Sequence, residues 1–337
     1  MNLVNKSDPI LSTELNDDNP NLHKHFLGGW RFKTLLITIL LSIIGYFLFS
    51  IWGGWENVVA AVVQVGAGGI ALALSLSLVN YGLRFLRWQL FLKSLGHSIP
   101  WKPSLRIYIS GFALTTTPGK TGEALRGVFL KDHGVPFRKS IGAFFAERTC
   151  DLMSVAILAC GGLWLYPDAR PILLLVAVLI GFILFAVQRD TWLSAIGRFI
   201  KKWIPDRFSH YVDFSIEIVH NFRKCFSPSI LLTAIGLGVI AWTAEAVALY
   251  CLLHMLGFDV SLLSAIFIYG FSLVIGGITL LPGGLGGAEV TMLQLLILND
   301  VTASAAVAVT IVIRLTTLWF SVFLGLCALP KKQILWS

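Results

Sequence analysis

Charge is what this sequence has least of. Asp, Glu, Lys and Arg make up 13% of its 337 residues, while 56% are hydrophobic. A water-soluble domain carries about 25% charged residues, so a chain of ordinary soluble domains is excluded. Cysteine is sparse and unpatterned. Cys150, Cys160, Cys225, Cys251 and Cys327 form no C-x-x-C pair, four lie in or beside apolar runs, and buried free thiols are expected. The seven histidines show neither H-x-x-x-H nor H-E-x-x-H spacing, so no metal site and no cofactor are expected. A nucleotide loop is missing too. In "TPGKTGEALR", Gly119-Lys120-Thr121 resembles the end of a P-loop, but Leu114 stands where its first glycine belongs. ATP coupling is therefore not expected.

What is present is a series of apolar runs approaching the ~20 residues that cross a bilayer as a helix. Six spans are expected, at about Thr34–Trp52, Ala67–Phe85, Ile141–Leu165, Pro171–Val187, Ile230–Leu253 and Ala303–Leu329. Two further stretches, Trp101 through the glycine motif and Leu262–Leu298, are too broken for a comfortable crossing. The fold class is an all-α polytopic membrane protein with six spans and two re-entrant hairpins. Residues 1–30, polar and carrying Pro9 and Pro20, read as a disordered tail. Residues 31–330 form one membrane domain and 331–337 a short end.

Placement of the basic residues sets orientation, because cytoplasmic loops collect Lys and Arg. The outer connections hold Glu56, Asp168, Asp259 and Asp300 against Arg170; the remaining loops hold the Lys and Arg excess behind the net charge of +8. A multi-pass protein of the inner cell membrane with both termini cytoplasmic is expected. The positive charge is topological, so it meets anionic lipid rather than nucleic acid. In "TWLSAIGRFIKKWIPDRF", Trp192, Ile196, Phe199, Ile200 and Trp203 share one helical face, with Arg198, Lys201 and Lys202 elsewhere. That pattern suits an interfacial helix; a partner-binding helix is the alternative. The segment belongs to the basic inner connection 190–228.

The glycine motif occurs twice. Pro118, Gly119, Gly122 and Glu123 correspond to Pro282, Gly283, Gly286 or Gly287, and Glu289, with Gly284 in the second turn. Gly111-Phe112 matches Gly270-Phe271, and "LFLKSLG" matches "CLLHMLG". Half-repeats of about 67–165 and 230–329 follow, joined by the span 171–187 and the inner segment. Three spans separate the two motifs, an odd number, so the repeat is of inverted topology. Such repeats place a substrate site where broken helices meet, since irregular backbone in lipid must be buried or line a wet cavity.

Charges inside these runs are the candidate path. Arg314 stands about 16 Å into the last span at the helical rise. An unpaired arginine there costs at least ~2.5 kcal/mol, and Glu289 is its expected partner. Glu147, Arg148 and Asp151 cluster in one span; Glu123 and Arg126 follow the first motif; Glu245 lies in the fifth span and aligns with Arg84. Structural readings stay open beside the functional one. Arg84, Arg87, Trp88 and Arg126 could snorkel to the interface, and Glu147, Arg148 and Asp151 could fix helix packing.

"RFLRW", "TPGKTGEALR", "ERTCD" and "LPGGLGGAE" with Ile313-Arg314, in this order over about Lys33 to Leu329, resemble the membrane region of the lysylphosphatidylglycerol synthase/flippase family, the multiple peptide resistance factor type. The resemblance implies a lipid-handling domain, with flipping of aminoacylated or glycosylated lipids as the usual activity. It points to Arg84, Arg87, Pro118, Gly119, Gly122, Glu123, Arg126, Glu147, Arg148, Asp151, Pro282, Gly283, Gly286, Glu289 and Arg314. Two-part members continue into a soluble aminoacyltransferase domain, whereas this chain stops at Ser337, so aminoacyl transfer is not expected. The leading expectation is a lipid transporter, not an enzyme, in which Arg314 holds a lipid phosphate. A membrane enzyme acting on a headgroup, with Glu123 or Glu147 as general base, and an accessory subunit of a lipid-synthesis enzyme are the alternatives. Expected partners are phosphate-bearing or anionic membrane lipids.

Overall fold

The computed structural model describes residues 44, 51, 54–117, 123–124, 126–205, 208–279, 281–284 and 286–329. The expected tail, the span Thr34–Trp52 apart from Ile44 and Ile51, the turn residues Pro118, Gly119 and Gly122, and the end 331–337 lie outside them. The described residues are helical, with no strand. In order come α1 (Trp55–Ser94), α2 (Trp101–Ser110) with a 3-10 turn at Gly111–Leu114, α3 (Arg126–Lys131), α4 (Phe137–Gly161), α5 (Arg170–Gln188), α6 (Asp190–Trp203), α7 (Ser209–Lys224) and α8 (Pro228–Met255). They are followed by α9 (Leu262–Ile278), a 3-10 turn at Pro282–Gly284, α10 (Gly287–Ile297), α11 (Ala303–Arg314), a π-turn at Leu315–Trp319 and α12 (Phe320–Ala328).

Four helical segments are long and apolar enough to cross a membrane: Val58–Ser94, Pro167–Gln188, Pro228–Met255 and Ala303–Ala328. The expected span at Ile141–Leu165 is α4, which stops at Gly161 and carries Glu147, Arg148 and Asp151 in its middle. Its buried face is built from small residues, including Gly142, Ala143, Ala146 and Ser154. Small residues let backbones approach where lipid gives no hydrophobic drive for helix association. The span expected at Ala67–Phe85 is longer than read, a 40-residue helix whose backbone breaks at Gly66 (φ 65°). It continues past Phe85 because Trp88, Phe91 and Leu92 are buried in a second core cluster with Tyr108, Phe112 and Phe222. Arg87 and Trp88 are therefore core residues, which overturns the snorkelling alternative, as does the burial of Arg84 and Arg126.

α5 lies at the periphery, turning Leu174, Leu175, Val178 and Phe182 outward, as a helix facing lipid does. α6 exposes Trp192, Ile196, Phe199, Ile200 and Trp203, the face expected of an interfacial helix. Its other face rests on α7, where Lys201 Nζ donates to Asp213 at 2.6 Å.

The packing itself has a two-fold pattern. α1 lies against α8 along its length. Gln64 reaches Met255, whereas the Arg84 guanidinium lies 5.1 Å from the Trp242 ring, so the two helices run antiparallel. They are the corresponding helices of the two halves, and each ends at a glycine of positive φ, Gly96 at 82° and Gly257 at 84°. α1 also packs on α11 as α8 packs on α4. α2 with its 3-10 turn packs on α12 as α9 packs on α4. At both of the latter crossings a glycine permits the approach. A Cβ at Gly325 would collide with the Ala113 backbone, and one at Gly270 would lie 3.0 Å from the Val155 carbonyl. Antiparallel pairing of equivalent helices is the arrangement an inverted repeat requires.

Candidate functional site

Between the halves lies a cavity of about 500 Å³. Six charged side chains border it: Arg84 from α1, Glu123, Arg148 and Asp151 from the first half, and Glu245 and Arg314 from the second. Tyr81, Thr115, Trp242, Tyr269, Thr317 and Ser321 add polar atoms, and the remaining lining is largely apolar. Arg87, Arg126, Glu147 and Glu289 are not in the wall; they stand behind it as buried partners. The ten expected charges thus separate into a layer facing the cavity and a layer supporting it.

In the first half Asp151 is a hub. Its Oδ2 accepts from Arg84 Nη2 at 3.2 Å and lies 3.0 Å from Arg148 Nη2 as an ion pair. Its Oδ1 accepts from Arg87 Nη2 and from Trp242 Nε1, the latter at 3.3 Å. One turn earlier on α4, Glu147 pairs instead with Arg126 at 2.7 Å. Arg126 also donates Nε to the Glu123 carbonyl at 3.0 Å. Its guanidinium lies over the rings of Trp88 and Tyr108, at 4.7 and 4.9 Å from their centroids. Such contacts stabilise a desolvated cation by ~2 kcal/mol or more. Glu123 closes the network, accepting from Thr115 at 2.8 Å and standing 3.5 Å from Arg148 Nη2. Glu147 and Asp151, four residues apart on one face of α4, serve different arginines.

The second half is simpler. Gly283 and Gly286, with φ of 64° and 86°, make the turn after α9; left-handed backbone of this kind favours glycine. Glu289 then ties the turn down, its Oε2 accepting from the Gly286 N–H at 2.7 Å. Arg314 donates Nε to Glu289 Oε1 at 2.7 Å and Nη2 to the Gly283 carbonyl at 2.9 Å. The expected pair is present, and it braces the hairpin turn. Directly after Arg314 the helix widens into the π-turn, whose Thr317 carbonyl accepts from the Tyr81 hydroxyl; π-bulges often mark functional sites. Glu245 accepts from the Tyr269 hydroxyl.

Tyr81, Trp242 and Tyr269 escaped sequence reading. The available signals were modest: Tyr81 lies one turn before Arg84, and Tyr269 directly precedes the repeated Gly270-Phe271. Among the described residues no three His, Cys, Asp or Glu side chains are grouped to hold a metal ion.

The register of the charges repeats as well. Glu289 and Arg314 are 25 positions apart, and so are Glu123 and Arg148. A broken helix pair whose carboxylate meets an arginine of the next long helix is thus built twice around one cavity. The sequence profile of the lysylphosphatidylglycerol synthase transmembrane region matches residues 35–325. The chain belongs to that family. It is similar to UPF0104 membrane protein PH1989 of Pyrococcus horikoshii, 25% identical over 90% of this chain and 99% of that protein. UPF0104 membrane protein MJ1595 of Methanocaldococcus jannaschii is 24% identical over 90% and 98%. Glycosyltransferase AglD of Haloferax volcanii is 21% identical over 83% of this chain but only 51% of its own length.

Proposed function

We propose that this member of the family moves a lipid headgroup across the bilayer, the headgroup passing through the cavity while the tails stay in lipid. One observation carries the reading: six charged side chains face open space inside a bundle whose outer surface is apolar. Charge in a membrane domain is costly and marks a substrate path by default, and inverted repeats put that path between their broken helices. In this reading the hairpins approach from opposite faces, and both termini are cytoplasmic in the cell membrane. The basic inner surface is available to a lipid-synthesis enzyme.

The relative named as a glycosyltransferase favours a second reading, because the matched region is about half of that protein. It extends the candidate cargo to sugar-linked, including polyprenyl-linked, lipids. It also keeps headgroup transfer as the alternative. Glu147 is badly placed for such chemistry, being wholly buried against Arg126 and outside the cavity wall. Purified protein in liposomes with a fluorescent phospholipid and a polyprenyl phosphosugar separates the readings. Faster loss of inner-leaflet protection without a mass change is expected. A changed lipid mass establishes the enzyme, and protection equal to empty liposomes with both lipids removes the transport reading.

A further inference from the structure

Arg148 and Arg314 occupy corresponding positions, yet their surroundings differ. Arg314 is 5% exposed and held by Glu289 and the Gly283 carbonyl. Arg148 is 17% exposed and reaches Glu123 only at 3.5 Å and Asp151 at 3.0 Å. Its Nε is buried without a hydrogen-bond partner. Arg84 shares this condition. Its side chain is 5% exposed, its longest bond goes to Asn80 at 3.5 Å, and its Nε too is buried and unbonded. Both guanidiniums border the cavity, and both lean on a single oxygen of Asp151, whose other oxygen is committed to Arg87 and Trp242. Around Asp151, Glu123 and Glu147 the described residues place four guanidiniums, those of Arg84, Arg87, Arg126 and Arg148, against three carboxylates. Among the described residues that network holds one guanidinium more than it holds carboxylates.

We propose that Arg84 and Arg148 form a seat for a phosphate group, with Asp151 holding the two side chains in place between occupants. A guanidinium presents a planar fork of donors matched to a phosphate's oxygens. Unbonded donors buried beside open space are what an incoming oxyanion satisfies. The rim indicates where the phosphate comes from. Leu179 of α5, Ile278 at the end of α9 and Leu281 of the second turn line the cavity and are also 51%, 50% and 45% exposed. The cavity therefore opens sideways among apolar residues, as a lipid with its tails outside requires. The seat deepens the transport reading and rests on it for the lipid source.

Binding tests the seat apart from transport. The full chain in an uncharged maltoside detergent is titrated calorimetrically with dihexanoyl phosphatidylglycerol, with dihexanoylglycerol and with inorganic phosphate. The parent is expected to bind phosphatidylglycerol at least tenfold more tightly than the glyceride. Arg148→Gln and Arg84→Gln should each lose about tenfold, and Arg148→Lys should recover part of it. Competition by inorganic phosphate supports a seat open to free phosphate, and its absence supports one that takes the group only on a lipid. Parent affinities for phosphatidylglycerol and glyceride within twofold of each other overturn the proposal without any variant; so does a folded Arg148→Gln protein that binds phosphatidylglycerol like the parent. Tight, Arg148-dependent binding without transbilayer movement removes the transport reading and keeps the seat. Movement with no phosphate preference removes the seat alone.

Discussion

The two halves share a topology and divide the chemistry. In the second half one carboxylate and one arginine are spent on a turn: Glu289 and Arg314 hold Gly286 and Gly283 in left-handed backbone. In the first half the corresponding pair, Glu123 and Arg148, is stretched to 3.5 Å, and three further arginines and two further acids crowd around it. The same register thus produces a rigid brace on one side of the cavity and an electrostatically loaded wall on the other. A duplicated scaffold lets one copy keep the shape while the other is free to bind. The carboxylate of Glu245 makes the contrast sharper, since it corresponds to Arg84, carries the opposite charge and accepts from the Tyr269 hydroxyl.

The harshest way to break the comparison is to remove the hub. Asp151→Asn leaves Arg84, Arg87 and Arg148 without the charge they share, all three in the interior. Breaking a buried ion pair costs about 3–5 kcal/mol, so a large fall in thermal stability is expected in detergent. Conservation of size does not rescue it, because Asn is neutral. Glu245→Gln, which keeps an acceptor for Tyr269, should cost much less. Equal losses in the two variants would show that the first-half network carries no special load.

The brace is tested by a pair of variants with a somewhat smaller effect. Arg314→Leu strands Glu289 and the Gly283 carbonyl, and a loss near the lower end of that range, about 3 kcal/mol, is expected. Adding Glu289→Leu removes the stranded charge, and an apolar pair packs well, so part of the stability should return although the Gly286 N–H and the Gly283 carbonyl lose these partners. Transport should return with it if Arg314 only braces the turn. A folded double variant without transport would show that Arg314 handles the lipid directly, and the division of labour between the halves would fall.

How much of this was legible beforehand depended on whether a feature is local. The all-helical membrane class, the second hairpin's glycines and the Glu289–Arg314 pair could be read because composition, φ requirements and the cost of an intramembrane charge act within a short window. The motif pairs also exposed the repeat, through residues such as Gly96 and Gly257. Asp151 as the meeting point of three arginines could not be read. Two come from α1 and one from α4, and their convergence depends on how those helices pack with α8. Burial of Arg87 and Trp88 was hidden for the same reason: beyond Phe85 the sequence resembles an interface, and only packing against Tyr108 and Phe222 makes it core.

The mildest test sharpens the comparison without substitutions. Cys150 sits inside the loaded first half and Cys225 where α7 joins α8, and both are buried; Cys327, on α12 of the braced half, is exposed. Burial pushes the Cys225 thiol up to about 12. The thiolate is the reacting species, so a raised value means less of it: at pH 8 only about one thiol in ten thousand is ionised, by the tenfold-per-unit relation. A maleimide applied to the folded protein in detergent should therefore modify Cys327 and leave Cys150 and Cys225 intact in a peptide mass map. Raising the pH to 9 increases the Cys225 thiolate tenfold but leaves access closed, so little labelling should follow. Denaturation should open both sites together. Prompt modification of Cys150 in the folded state would mean that the first-half network is open to reagent from behind, and that the supporting layer of charges is not sealed from solvent.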